Sequence, residues 1–91
     1  MRIEYQNPNL SRLRNPNNHG GVIFAEVIHM PGLVGNELPD EMIGCLYLNP
    51  DGKAELRVIS EGWEIGRDDL WKLIEVTAEA ERAYDRYFEP A

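Results

Sequence analysis

The sequence predicts a small α+β domain, in which a mainly antiparallel sheet of three or four strands is covered on one face by a C-terminal amphipathic helix. Two observations predict this fold class. Apolar and polar side chains alternate on both sides of an Asn-Pro-Asp-Gly turn between residues 43 and 59, and beyond residue 66 the apolar period becomes helical. Because 91 residues suit one compact unit, we treat residues 1–91 as a single domain.

Two strands are predicted before the hairpin. Residues 1–6 contain a short run in which polar and apolar side chains alternate, which predicts a strand over 2–6. Residues 22–29 are β-branched and aromatic with Glu26 as their interior charge, a pattern typical of a central strand. The intervening residues 7–21 are rich in Asn, Pro and Gly, so we expect a loop there.

The hairpin, with strands expected over 43–49 and 53–60, completes the strand region 22–60. Proline in Asn49-Pro50-Asp51-Gly52 presets φ at the second turn position, and the glycine can take the left-handed conformation. Setting Asn49 opposite Lys53 brings Leu46 opposite Leu56 on a face that is wholly apolar. Turn chemistry and side-chain alternation therefore predict the same register.

The other face of this hairpin is mixed, with Cys45 opposite Arg57 and Tyr47 opposite Glu55. No second helix is predicted to cover it. We therefore expect a partner or a second copy of the chain to contact this face. The residues assigned to self-association are Ile43, Tyr47 and Ile59.

A helix is predicted over 66–89, with Asp68 and Asp69 near its positive end. Glu81 falls inside its apolar arc, whereas Trp71 falls outside. An exposed tryptophan flanked by charges is typical of an interface anchor. The residues of the arc, expected to face the sheet, are Leu70, Leu73, Ile74, Thr77, Ala80, Tyr84, Tyr87 and Phe88.

Charge indicates the kind of partner. The chain carries a net charge of −7, and residues 21–91 hold fifteen acids against six Lys or Arg, a net −9. Such a body repels nucleic-acid backbones and acidic membranes, so we expect neither as a direct partner and expect a basic protein surface instead. The single cysteine and the absence of an apolar run after Met1 favour the cytoplasm.

Candidate chemistry is sparse. Cys45 and His29 lack the setting that activates a thiol, and His19 and His29 lack the spacing of metal ligands. No nucleotide-binding glycine motif is present, so we expect no catalytic residue, cofactor or metal. The acids Glu37, Asp40 and Glu41 share the connection 30–42, where carboxylates could act as general acids and bases.

These observations favour a non-enzymatic protein-binding module. Its most concrete form is a small acidic inhibitor or regulator, of the kind that phages and mobile elements encode, acting on a nucleic-acid-handling protein complex. Two alternatives stay open: a small enzyme that uses the acids of the 30–42 loop, and a structural homodimer subunit. The residues expected to bind a partner are Trp71, Trp63, Glu37, Asp40 and Glu41.

Overall fold

The computed structural model describes residues 1–15, 17, 20–29, 41–60 and 64–89. In these ranges four strands form one antiparallel sheet in the order β1-β2-β3-β4, and an α-helix follows. The predicted α+β fold class is confirmed. The elements are β1 (Arg2–Tyr5), a 3₁₀ helix (Leu10–Arg14), β2 (Val22–His29), β3 (Glu41–Leu48), β4 (Ala54–Val58) and α1 (Arg67–Tyr87).

The second strand is central, as its two apolar faces predict. β2 pairs with β1 through Ile3 opposite Val27, and with β3 through Ala25 opposite Leu46. The register between β2 and β3 shifts twice: Phe24 is an extra residue in β2, and Ile43 is an extra residue in β3, so each strand bends once.

The hairpin has the predicted register, with Leu46 opposite Leu56 and Cys45 opposite Arg57. The amide of Gly52 donates to the carbonyl of Asn49 over 2.9 Å, which closes the turn. Gly52 has φ +86°, the left-handed conformation expected of it. β3 begins at Glu41, two residues earlier than predicted, because the backbone of Glu41 pairs with that of His29.

The predicted loop 7–21 contains regular structure that the sequence analysis missed. The side chain of Asn9 accepts a hydrogen bond from the amide of Ser11 and caps a 3₁₀ helix. Three residues make one 3₁₀ turn, so Leu10 and Leu13 lie on the same side. Leu13 is buried and Leu10 packs against the core, which ties this segment to the sheet.

The core lies between the sheet and α1. Its buried residues from the strands and the 3₁₀ helix pack against Val76 and Ala80 of the helix. In the described ranges, no helix combines the length and the apolar character that a membrane crossing requires. The buried strand and 3₁₀ members of this cluster are Leu13, Val22, Ala25, Leu46 and Leu48.

Candidate interaction surface

Both ends of α1 are fastened to the rest of the domain. The N-terminal amino group lies 4.0 Å from the carboxylate of Asp69, and the Lys72 ammonium donates to the carbonyl of Met1 over 3.4 Å. At the other end, the Tyr84 hydroxyl donates to the carbonyl of Pro50 over 2.9 Å. The rotation of the helix about its axis is therefore fixed, and so is the face that it turns to solvent.

The face of α1 that meets the sheet is narrower than predicted. Val76 and Ala80 are 1% and 0% exposed. Leu70 and Ile74, which the predicted arc also placed against the sheet, are 49% and 57% exposed. That part of the prediction is wrong, because Ile74 lies roughly 160° from Val76 around an α-helix and both cannot face one flat sheet.

The exposed apolar residues form a continuous surface that we call the outer stripe, defined as Leu70, Trp71, Ile74, Thr77, Ala78 and Glu81. Its three large side chains, Leu70, Trp71 and Ile74, are each about half exposed. Ile74 lies four residues after Leu70 and three after Trp71, so both are its neighbours on the helix surface. A shallow groove is lined by Leu70, Leu73, Ile74, Thr77, Ala78 and Glu81. Trp71, predicted as an interface anchor, lies beside this groove.

Opposite charges lie at the two ends of this stripe. Arg67 is two helical turns before Ile74, and Glu81 is two turns after it, both within roughly 20° of its direction. Within the described ranges neither side chain forms an ion pair. The stripe is thus apolar in the middle, basic at one end and acidic at the other.

The mixed face of the hairpin has a different character. Ile43 is 4% exposed, so it leaves little area for a second copy, whereas Ile59 is 62% exposed. The Arg57 guanidinium lies 3.9 Å from the Tyr47 ring centre and bonds the Glu55 carboxylate over 3.0 Å. Self-association through Ile43, Tyr47 and Ile59 stays a prediction.

Cys45 is buried on this same face and 3.9 Å separates its sulfur from that of Met42. Burial raises the pKa of the Cys45 thiol, and the charge of Glu26 adds to the effect. A thiol in this setting is held in its protonated form, which is the opposite of what nucleophilic catalysis needs.

The structure describes only part of the predicted partner-binding set. Glu37, Asp40 and Trp63 lie outside the described residues. Glu41 is exposed at the start of β3, where its carboxylate accepts a hydrogen bond from the Ser60 hydroxyl over 3.1 Å. Trp71 and Glu41 therefore lie on different elements, α1 and β3.

On the far side of α1, a hydrogen bond to the Glu79 carboxylate raises the pKa of the Tyr5 hydroxyl, with burial and the charges of Glu79 and Glu75 adding to it. Glu75 and Glu79 line a hollow together with Ile3 and Tyr5 of β1. They lie roughly 100° and 140° from Ile74 around the helix, so neither belongs to the outer stripe.

A second concave region lies at the C-terminal end of α1. The Arg14 guanidinium lies 4.2 Å from the centre of the Phe88 ring. Basic and acidic groups alternate around this ring, and the negative end of the helix dipole points toward it. Neither sign dominates, so the region has no clear ligand. Its other lining residues are Arg82, Tyr84, Asp85, Arg86 and Glu89.

No family model, curated protein or solved structure matches this chain. In the part of the chain that the structure describes, no three His, Cys, Asp or Glu side chains come together as metal ligands would. The outer stripe is therefore the feature from which a function can be argued.

Proposed function

We propose that this protein is a non-enzymatic protein-binding module that presents the outer stripe of α1 to another polypeptide. The observation that carries the proposal is the adjacency of Leu70, Trp71 and Ile74, each about half exposed on a helix whose ends are fastened. Leaving three large apolar side chains in water costs roughly 1–2 kcal/mol each compared with covering them. Tryptophan in particular is enriched among residues that dominate binding energy.

Within this proposal, the more specific form is a small acidic inhibitor or regulator of a nucleic-acid-handling protein complex. Its support is the net charge of −7, which repels the nucleic acid and attracts the basic protein surfaces that contact it. Attraction of this kind mainly raises the association rate and weakens as salt is added.

Site-specific photo-crosslinking tests the proposal. A benzophenone amino acid in place of Trp71 should give a covalent product with whichever protein covers the outer stripe in the native cell. The product should disappear when Ile74→Glu is added, because a carboxylate in the middle of an apolar contact is costly to bury.

The matched control is Ile59→Glu. Ile59 is the same residue type at a similar exposure, 62% against 57% for Ile74, and it lies outside α1. The product should survive this change. A product that survives Ile74→Glu, or is lost equally with Ile59→Glu, would contradict a binding role for the stripe.

A further inference from the structure

We infer that the polypeptide bound by the outer stripe is a second copy of this chain, packed antiparallel about a two-fold axis at Ile74. The inference rests on the proposed function and names its partner. Three independent properties of the stripe support it: the order of its charges, the order of its side-chain sizes and the direction of its helix dipole.

The charges are self-complementary only in the antiparallel arrangement. A two-fold axis at Ile74 pairs residues that are equally far from it in opposite directions along the chain. Arg67, seven residues before Ile74, then meets Glu81 of the second copy, seven residues after it. Symmetry makes this contact twice, roughly 10 Å on each side of the axis.

The side-chain sizes are complementary in the same register. Leu70 faces Ala78 of the second copy, Trp71 faces Thr77, and Ile74 meets itself on the axis. Leu70 and Trp71 therefore each lie opposite a smaller side chain, and Ile74 is the one position of the stripe where a large side chain meets its own copy, which lets two helices approach closely and interdigitate. A two-fold interface requires one patch to fit itself, and this patch does.

Charge outside the stripe does not outweigh these contacts. Each chain has a net charge of −7, which opposes association. Repulsion between charges more than about 8 Å apart is largely screened at physiological ionic strength, whereas the two Arg67–Glu81 pairs are in contact. Glu75, one position from Ile74, lies roughly 100° away from it around the helix and lines a hollow with Ile3 and Tyr5 of β1. Antiparallel helices also place their dipoles head to tail.

Sedimentation equilibrium of the full chain tests the inference, at concentrations from about 1 to 500 μM, which covers weak and moderate interfaces. The wild type should reach twice its monomer mass of 10.4 kDa. Ile74→Glu should stay monomeric because it brings two carboxylates together on the axis. Val58→Glu should dimerise like the wild type, since Val58 is 58% exposed against 57% for Ile74 and belongs to neither candidate interface. Glutamate favours helix, and circular dichroism at 222 nm checks that each variant keeps it.

Charge reversal then tests the antiparallel geometry. Arg67→Glu and Glu81→Arg should each raise the dimer dissociation constant at least about tenfold, since each turns two attractions into two repulsions. The double variant, and an equimolar mixture of the two single variants, should recover wild-type association. Glu81→Arg makes each chain less negative, so weaker association of this variant cannot come from net repulsion.

Three results would overturn the inference: a wild type that stays monomeric throughout, an Ile74→Glu variant that dimerises normally, or a double variant no better than the single ones. Loss of dimerisation with Ile59→Glu alone would instead move the interface to the hairpin face. The photo-crosslinking experiment at Trp71 distinguishes failure of this dimer from failure of the proposed function. If the crosslinked product contains a different protein and disappears with Ile74→Glu, the stripe binds a partner but that partner is not a second copy of the chain.

Discussion

Gly52 is the residue whose replacement tests how the hairpin turn and α1 are joined. It has φ +86°, and a Cβ placed on it would lie 2.7 Å and 2.8 Å from two ring carbons of Tyr84. The Tyr84 ring cannot simply move away, because its hydroxyl donates to the carbonyl of Pro50 over 2.9 Å. The substitution Gly52→Ala therefore disturbs the backbone of the turn and the fastening of the helix at once.

The expected loss of stability follows from these two contributions. A non-glycine residue in the left-handed region costs about 1 kcal/mol or more. Ordinary carbon contacts need roughly 3.5–4.0 Å, so the Tyr84 ring must shift by nearly 1 Å and give up a hydrogen bond that contributes about 1 kcal/mol. Alanine regains about 0.5 kcal/mol by restricting the unfolded chain. We expect Gly52→Ala to lower the free energy of unfolding by about 1.5 kcal/mol, and Tm by about 6–12 °C.

Two further variants separate the contributions in urea denaturation followed by circular dichroism. Gly52→Asn tolerates the left-handed backbone but still carries a Cβ, so it reports mainly on the contact with the ring. In a Tyr84→Ala background the contact is absent, and Gly52→Ala should cost only about 0.5 kcal/mol. Equal costs with and without the Tyr84 ring would refute the contact as a cause. In the wild-type background, a loss of stability below about 0.5 kcal/mol for Gly52→Ala would refute both the backbone contribution and the ring contact.

Two other predictions concern the sheet and its edge. Gly44→Ala should lower the free energy of unfolding by about 2–4 kcal/mol in the same urea assay. A Cβ at this position would overlap the carbonyl oxygen of Arg57 in the paired strand, so β3 and β4 would have to separate. A variant with wild-type stability would contradict this close approach. Tyr5→Phe should be less stable than the wild type at pH 8, and the difference in stability should close as the pH rises through the raised pKa of Tyr5. The bond to Glu79 favours the protonated phenol in the folded state, so this contribution is lost above that pKa. A difference that stays constant while the Tyr5 phenol is seen to ionise in ultraviolet absorbance would show that the bond is not formed.

The turn and register of the hairpin could be predicted because the information for them is local. The turn residues Asn49 to Gly52 restrict φ at known positions, and the alternation of apolar side chains independently requires the same register. The central place of β2 was predictable for a related reason, since a strand paired on both edges is typically apolar and residues 22–29 carry Glu26 as their interior charge. At the hairpin, where turn residues and side-chain alternation indicate the same register, the structure follows the prediction.

The 3₁₀ helix at Leu10–Arg14 shows what such signals miss. One turn is too short to establish a period, and it lies between Asn-Pro pairs that are typical of loops. Only the cap at Asn9 and the spacing of Leu10 and Leu13 could have indicated it. Its stability comes instead from burial of Leu13 in a core that sequence-distant strands create, and local propensity does not contain that information.

The apolar arc of α1 was predicted too wide to be covered by one partner, and this error identifies the candidate site. A sheet can cover the side of a helix around Val76 and Ala80, but Ile74 lies roughly 160° away from Val76. Periodicity measures how apolar a direction is and not which neighbour lies there, so it merges two adjoining surfaces into one arc. Trp71 and Glu81, which contradict a single arc, both fit once the arc is divided. Trp71 extends the outer surface, and Glu81 ends it with a charge opposite to that of Arg67. Local rules are broken where a second requirement acts on the same residues, and on this helix that requirement is the contact we propose for the outer stripe.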